Sequence, residues 1–221
     1  MWVLPKIDDA FIAAMEHVLA LYALPYNKEE PLLCFDEKST QLLQDTRTTI
    51  ETKPGKPRRK DYEYKRNGTR NIFLAVEPKA GWRSVKATAR RTKRDFAKEI
   101  ARIEGLARYT HAKKIHVALD NLNTHGEHSL VETFGKAEAK RIMKRIVFHH
   151  TPKHASWLDM AEIELSILTR QALGRIGTAT ALRKRLRIWS RDRNRKKAVI
   201  TWSFTAKDAR RVFKYRPKRL S

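Results

Sequence analysis

The order of segments along this chain predicts an α/β fold, one mixed sheet with helices packed against it. Three sheet-forming stretches rich in Leu, Ile, Val and Phe come early. Beyond Thr92 the apolar spacing lengthens to a helical period, and helices then alternate with short apolar runs. The chain has 221 residues, 41% of them hydrophobic, enough to enclose the core of one large domain or of a domain with an appendage. No internal repeat is present.

Asp8 or Asp9 caps a first helix in which Phe11, Met15, Val18 and Tyr22 form one apolar stripe, and Pro25 stops it. Leu32–Asp36 reads as a strand, followed by a pair, Leu42–Asp45 and Thr48–Thr52. Lys53–Lys60 is a basic loop by its Pro and Gly content. Arg70–Glu77 is a strand, and Gly81–Thr88 alternates like an edge strand or hairpin partner. Phe96, Ile100, Ile103 and Leu106 mark an amphipathic helix, and Ile115–Asp120 a strand. Short helices near Ser129–Phe134 and Ala137–Met143 precede the strand Ile146–Phe148. Helices follow at Leu158–Leu173 and Ala179–Ser190, the second with Leu182, Leu186 and Trp189 on one face. A last short helix starts at Thr205, with Asp208 in the capping-box position.

Charge narrows the function. The formal net charge is +24, from 48 Lys+Arg against 24 Asp+Glu. Such an excess repels itself unless a polyanion neutralises it, so nucleic acid is the expected partner and an acidic membrane surface the lesser one. The single cysteine, Cys34, excludes an internal disulfide and a cysteine-based zinc site, and fits a reducing compartment. Met1–Pro5 lacks a basic leader, and Asp8, Asp9 and Glu16 interrupt the apolar residues behind it. Neither a signal peptide nor a membrane span is expected, which predicts a cytosolic protein.

Three acids stand in contexts suited to one metal site. Asp36 closes the run Leu32–Phe35, Asp120 closes Ile115–Leu119, and Glu162 lies at the start of a helix. Phosphodiester hydrolysis needs an acidified water and a neutralised leaving oxygen, which two divalent ions about 3.5–4 Å apart supply. Mg²⁺ keeps several waters, so few carboxylates suffice. Strand alternation turns Glu37 away from Asp36. On a helix Asp159 shares a face with Glu162, whereas Glu164 points about 160° away. The alternative, that these acids merely cap helices or pair with surplus Lys and Arg, stays open at this point. His149, His150 and His154 lack zinc-ligand spacing, and adjacent strand histidines face opposite ways. Neither a nucleophile elbow nor a glycine-rich phosphate loop is present.

Longer blocks carry a resemblance. Cys34-Phe35-Asp36-Glu37-Lys38-Ser39 resembles the first catalytic block of mariner-like transposases, specifically the bacterial insertion-sequence-630 family. Asp61–Thr69 and Arg90–Ala97 are similar to its intervening blocks, Asp120–His125 to the second motif, and Thr151–Leu158 through Glu162-Ile163-Glu164 to the third. The likeness runs from about Asp8 to Arg211. It implies an RNase H-like fold (residues 29–195) behind a linker helix region (1–28) and ahead of a basic helical extension (196–221). It implies that Asp36, Asp120 and Glu162 hold two Mg²⁺ ions, with Mn²⁺ as a substitute. The implied reaction is nicking at transposon ends followed by attack of a freed 3′-hydroxyl on target DNA at TA, by a homodimer on DNA in the bacterial nucleoid. A catalytically inactive DNA-binding remnant with the same fold is the alternative.

Two departures qualify this. Asp159 stands where the pattern has Asn, an extra negative charge expected one turn from Glu162; Gln171–Arg175 also drifts. Family members carry helix-turn-helix modules upstream, so an upstream polypeptide is an expected partner and the chain reads as the downstream half of a split reading frame or as a truncated remnant. Phosphate contacts are expected from Lys56, Arg58, Arg59 and Lys60, from Arg90, Arg91, Lys93 and Arg94, and from His125, Lys153 and His154. Trp157 is a candidate base-stacking surface or a core residue.

Overall fold

Residues 7–48, 50–57, 59 and 62–215 are described by the structure, a computed structural model. Asp8 accepts a hydrogen bond from the Phe11 N–H and starts α1, Asp9–Ala23. Helix α1 buries Phe11, Met15, Val18, Leu19 and Tyr22, the stripe that its sequence spacing predicts.

The chain then forms β1 (Leu32–Asp45), β2 (Tyr64–Glu77) and β3 (Trp82–Thr88), an antiparallel meander. Here the structure differs from the sequence expectation. Leu32–Asp36 and Leu42–Asp45 are not separate strands but one continuous β1 with an irregularity between Gln41 and Leu43. The polar middle of β1 pairs residue by residue with the polar first half of β2, so hydrogen bonding sustains the strands where apolar patterning fades. Thr48–Thr52 is not a sheet strand among its described residues; Ile50 only bridges Arg59.

Helix α2 (Lys93–Glu104) begins with a full capping box between Thr92 and Asp95. It leads to β4 (Ile115–Leu119), α3 (Glu127–Phe134), α4 (Lys136–Met143) and β5 (Ile146–His150). Strands β4 and β5 run parallel to β1, giving the order β3-β2-β1-β4-β5. The chain closes with α5 (Met160–Ala172), α6 (Ala179–Arg195) and α7 (Ala206–Phe213), the last capped by Thr205 and Asp208 as their spacing predicts.

Side-chain alternation splits the core into two layers. Leu33, Phe35, Phe73, Val117 and Leu119 face α2, α3 and α4. Cys34, Ile72, Leu74, Val76 and Ala118 face α1, α5, α6 and α7. Two buried guanidinium contacts lock α5 in place: Arg83 of β3 and Arg193 of α6 each lie 2.9 Å from Glu164 Oε1. Gly81, at φ +64°, turns β2 into β3 where the backbone of Lys197 passes so close that an added Cβ would lie 2.4 Å from it. Among the described residues no helix is long and apolar enough to cross a membrane.

Candidate active site

Sheet register assembles the first two acids. Phe35 of β1 stands opposite Leu119 of β4, so one step further along Asp36 and Asp120 come level on neighbouring parallel strands. Helix α5 supplies the third from the layer above. Its first turn carries Glu162, and Asp36 and Glu162 line one cleft of about 330 Å³ together with Ser166, Thr169 and Arg170. Tyr22 of α1 steadies that turn by donating to the Leu158 carbonyl at 2.8 Å.

Burial and the fields of Glu37, Asp120 and Glu162 push the Asp36 carboxyl from 3.8 up to about 7, against the hydrogen bond from the Glu37 N–H. Among the described residues neither Asp36 nor Glu162 has a cation within ion-pair range, although the chain holds 48 Lys+Arg.

His125 carries an organisation that the sequence does not announce. Its Nδ1 stands 2.6 Å from Asp120 Oδ1 and its Nε2 2.9 Å from Glu37 Oε2. The ring stacks on Phe96 at 4.8 Å and its side chain is 1% exposed. Burial lowers its pKa, but the two carboxylates outweigh that and raise it to about 10. Glu37 thus turns away from Asp36, as strand alternation requires, and reaches the site through His125; Arg91 lies 4.0 Å from its other oxygen. An imidazole enclosed this way orients Asp120 and has no face left for a phosphate. The short spacing Asp120 to His125 was the available signal.

Asp159 corrects a second expectation. It does not stand on the helix face beside Glu162 but turns inward as the N-cap of α5, 1% exposed, accepting from the Ala161 N–H at 2.8 Å. Burial, with Asp36 next, raises its pKa well above 3.8.

The adjacent histidines diverge as expected. His149 is hydrogen-bonded to His17 and His116, each at 2.8 Å, while His150 reaches the His125 carbonyl. Burial, then His116 and His17, lower His149 to about 4, a packing arrangement.

The expected phosphate contacts are scattered around the site. Lys153 and His154 line a hollow with Asn121, next to Asp120, and both are exposed. Trp157 is 41% exposed, with Phe204 and Phe213 against it at 5.6 and 6.1 Å. Arg90, Arg91 and Arg94 are exposed, whereas Lys93 is paired with Glu132 at 2.8 Å. Lys56 and Arg59 are exposed on a loop; Arg58 and Lys60 lie outside the described residues, as does the end of the basic extension beyond Tyr215.

Among the described residues no three His, Cys, Asp or Glu side chains form a ready-made cage for one ion. The donor set still suits Mg²⁺, which takes one or two carboxylates and completes its shell with water and substrate phosphate. Asp120 keeps 23% of its side chain exposed while His125 Nδ1 lies 2.6 Å from Oδ1, so the carboxylate is held in place yet still open to a hard cation.

This sheet order, with acids on its central strand, just past the end of the neighbouring β4 and on the helix above, is an RNase H-like arrangement. The chain belongs to the DDE superfamily endonuclease family, which it matches over residues 31–183. Its fold is similar to that of the Mos1 mariner transposase. The Mos1 paired-end complex with Mn shares 13% identity at a TM-score of 0.52, covering 90% of this chain and 61% of that one. The complex with the left transposon end gives 12% and 0.53, with the same coverages. The Mos1 strand transfer complex gives 11% and 0.51, covering 90% and 60%. The chain therefore spans about three-fifths of the Mos1 transposase length. No curated protein matches it.

Proposed function

We propose that this chain is the catalytic domain of a DNA transposase of the bacterial insertion-sequence-630 kind, cutting transposon ends and joining the freed 3′-hydroxyl to target DNA at TA. The observation that supports this best is the unpaired acid cluster: Asp36 and Glu162, with no cationic partner among the described residues, share a cleft beside Asp120 in a strongly basic protein.

In this reading Asp36, Asp120 and Glu162 hold the divalent ions. When bound, two such ions would acidify the attacking water or 3′-hydroxyl and neutralise the leaving oxygen. The remaining work belongs to the protein. Asp36 near pKa 7 exchanges its proton readily at neutral pH, so the cleft is not burdened with full negative charge before a cation arrives. His125 fixes the Asp120 carboxylate, and Asp159 caps the helix that presents Glu162. Lys153 and His154 beside Asn121, with Arg90, Arg91 and Arg94, steer the phosphate backbone toward the acids. Residues 29–195 form the catalytic unit in this reading, 1–28 the link to an upstream helix-turn-helix polypeptide, and 196–221 a basic extension. The working form is a homodimer on paired DNA ends, in the nucleoid.

The test is cleavage of duplex carrying the element's ends in Mg²⁺ or Mn²⁺. Wild-type protein should nick it, and Asp120→Asn should abolish nicking while keeping its melting temperature and DNA affinity. A wild-type protein that binds DNA yet never cuts with either ion would leave only a DNA-binding remnant.

A further inference from the structure

Helix α6 is amphipathic in an unusual sense: its outer face is almost purely cationic. Leu182, Leu186 and Trp189 are buried, and Arg193 turns inward to Glu164. Arg183, Lys184, Arg187 and Arg191 are all exposed. At 100° per residue these four fall within an arc of about 100°, and Arg195 continues the same stripe. Among the described residues none of the four has an acidic partner; the one acid of the helix, Asp192, pairs with Arg195 and Lys196. The stripe serves no packing role, and its mutual repulsion is uncompensated within the fold.

We propose that this face of α6 is a second DNA-docking track that reads the backbone of a duplex and not its bases. This rests on the reading that the chain acts on DNA. Geometry separates the track from the cleft. Helix α6 packs on β3, the outer strand of the sheet, whereas the acids sit on β1, β4 and the cleft-facing side of α5. From Arg183 to Arg195 the stripe runs about 18 Å. Each strand of duplex DNA carries a charge every ~3.4 Å of axis, so one backbone laid along the helix offers about five phosphates to these cations. A lipid surface fits less well, because membrane-lying helices need an apolar face and Ile188 is the one large apolar residue exposed on this helix.

The test measures binding to a random-sequence duplex in EDTA across a salt series, so that it does not depend on cleavage. The triple variant R183A/R187A/R191A keeps helix propensity, and its fold is checked by circular dichroism and melting temperature. Its slope of log K against log salt should shrink by about 2–3, roughly 0.9 per lost phosphate contact. K98A/K136A/K140A removes equal charge from exposed positions on α2 and α4, on the other layer, and should change the slope by less than about 1. Equal slopes for the two triples would mean that only net charge matters and would overturn the proposal. So would an unchanged slope for the α6 triple, or a loss confined to binding of phosphatidylserine vesicles. Loss of nicking in Asp120→Asn with this slope intact would separate the track from the catalytic reading.

Discussion

Asp36→Asn probes the electrostatics of the cleft most directly. The Asp36 carboxyl is raised from 3.8 to about 7 by burial and by Glu37, Asp120 and Glu162. The sign follows from proton linkage. Below pH 3.8 the carboxyl is protonated in both folded and unfolded chains and contributes nothing. Between the two values the folded protein holds a proton that the unfolded chain has released, so stability falls as pH rises; above about pH 7 the loss is complete. Roughly three units correspond to about 4 kcal/mol, and partial solvation of the cleft brings this to ~2–4 kcal/mol. Asn removes the ionisation, so urea denaturation should show the variant gaining on wild type from about pH 4 and leading by ~2–4 kcal/mol at pH 8. Mg²⁺ or Mn²⁺ at pH 8 should raise the wild-type melting temperature and leave the variant's nearly unchanged. A stability difference independent of pH would refute the placement of Asp36 among unpaired acids.

Two further predictions concern the supports of the site. His125→Ala should cost about 3 kcal/mol, since it strands the buried Glu37 carboxylate with only a distant Arg91; adding Glu37→Gln should recover part of that loss in a double-mutant cycle, whereas additive losses would mean that the two do not interact. Glu164→Gln should lower stability by ~3–5 kcal/mol by leaving Arg83 and Arg193 facing each other across a buried site, and an unchanged denaturation midpoint would exclude the lock on α5.

The layered fold was legible because apolar periodicity is local information. The Phe11–Tyr22 stripe, the capping boxes at Thr92 and Thr205, and the runs ending at Asp36 and Asp120 each reveal an element from its own residues. The polar arm of β1 and β2 was not legible, since its hydrogen bonds depend on a partner some thirty residues away and its side chains carry no pattern. The surroundings of His125 and Asp159 were not legible for a related reason. Spacing shows which residues are near one another along the chain, whereas their roles depend on which way the backbone turns after β4 and before α5. One enters the interior between two carboxylates, and the other enters as a helix cap.

What separates the acid cluster from ordinary surface charge is the pairing pattern of the whole molecule. In a chain of +24, an acid that serves structure should find a cation, and the buried ones do. Glu77 takes Arg108, Glu99 takes Arg102, Glu104 takes Arg145, Glu164 takes Arg83 and Arg193, and Glu37 takes His125. Asp36 and Asp159 have no ion-pair partner among the described residues while being held where a charge is costly, and burial raises the pKa of each. Asp159 is held as the N-cap of α5 by the Ala161 N–H. Asp36 opens onto the cleft shared with Glu162, where a divalent cation from solvent can supply the close charge that no ion pair among the described residues provides. The same scarcity of paired charge recurs with opposite sign on α6, where among the described residues Arg183, Lys184, Arg187 and Arg191 have no acidic partner, as Asp36 and Glu162 have no cationic one. Two uncompensated surfaces of opposite sign on separate elements are what a protein needs to hold a polyanion with one and attack its phosphodiester with the other.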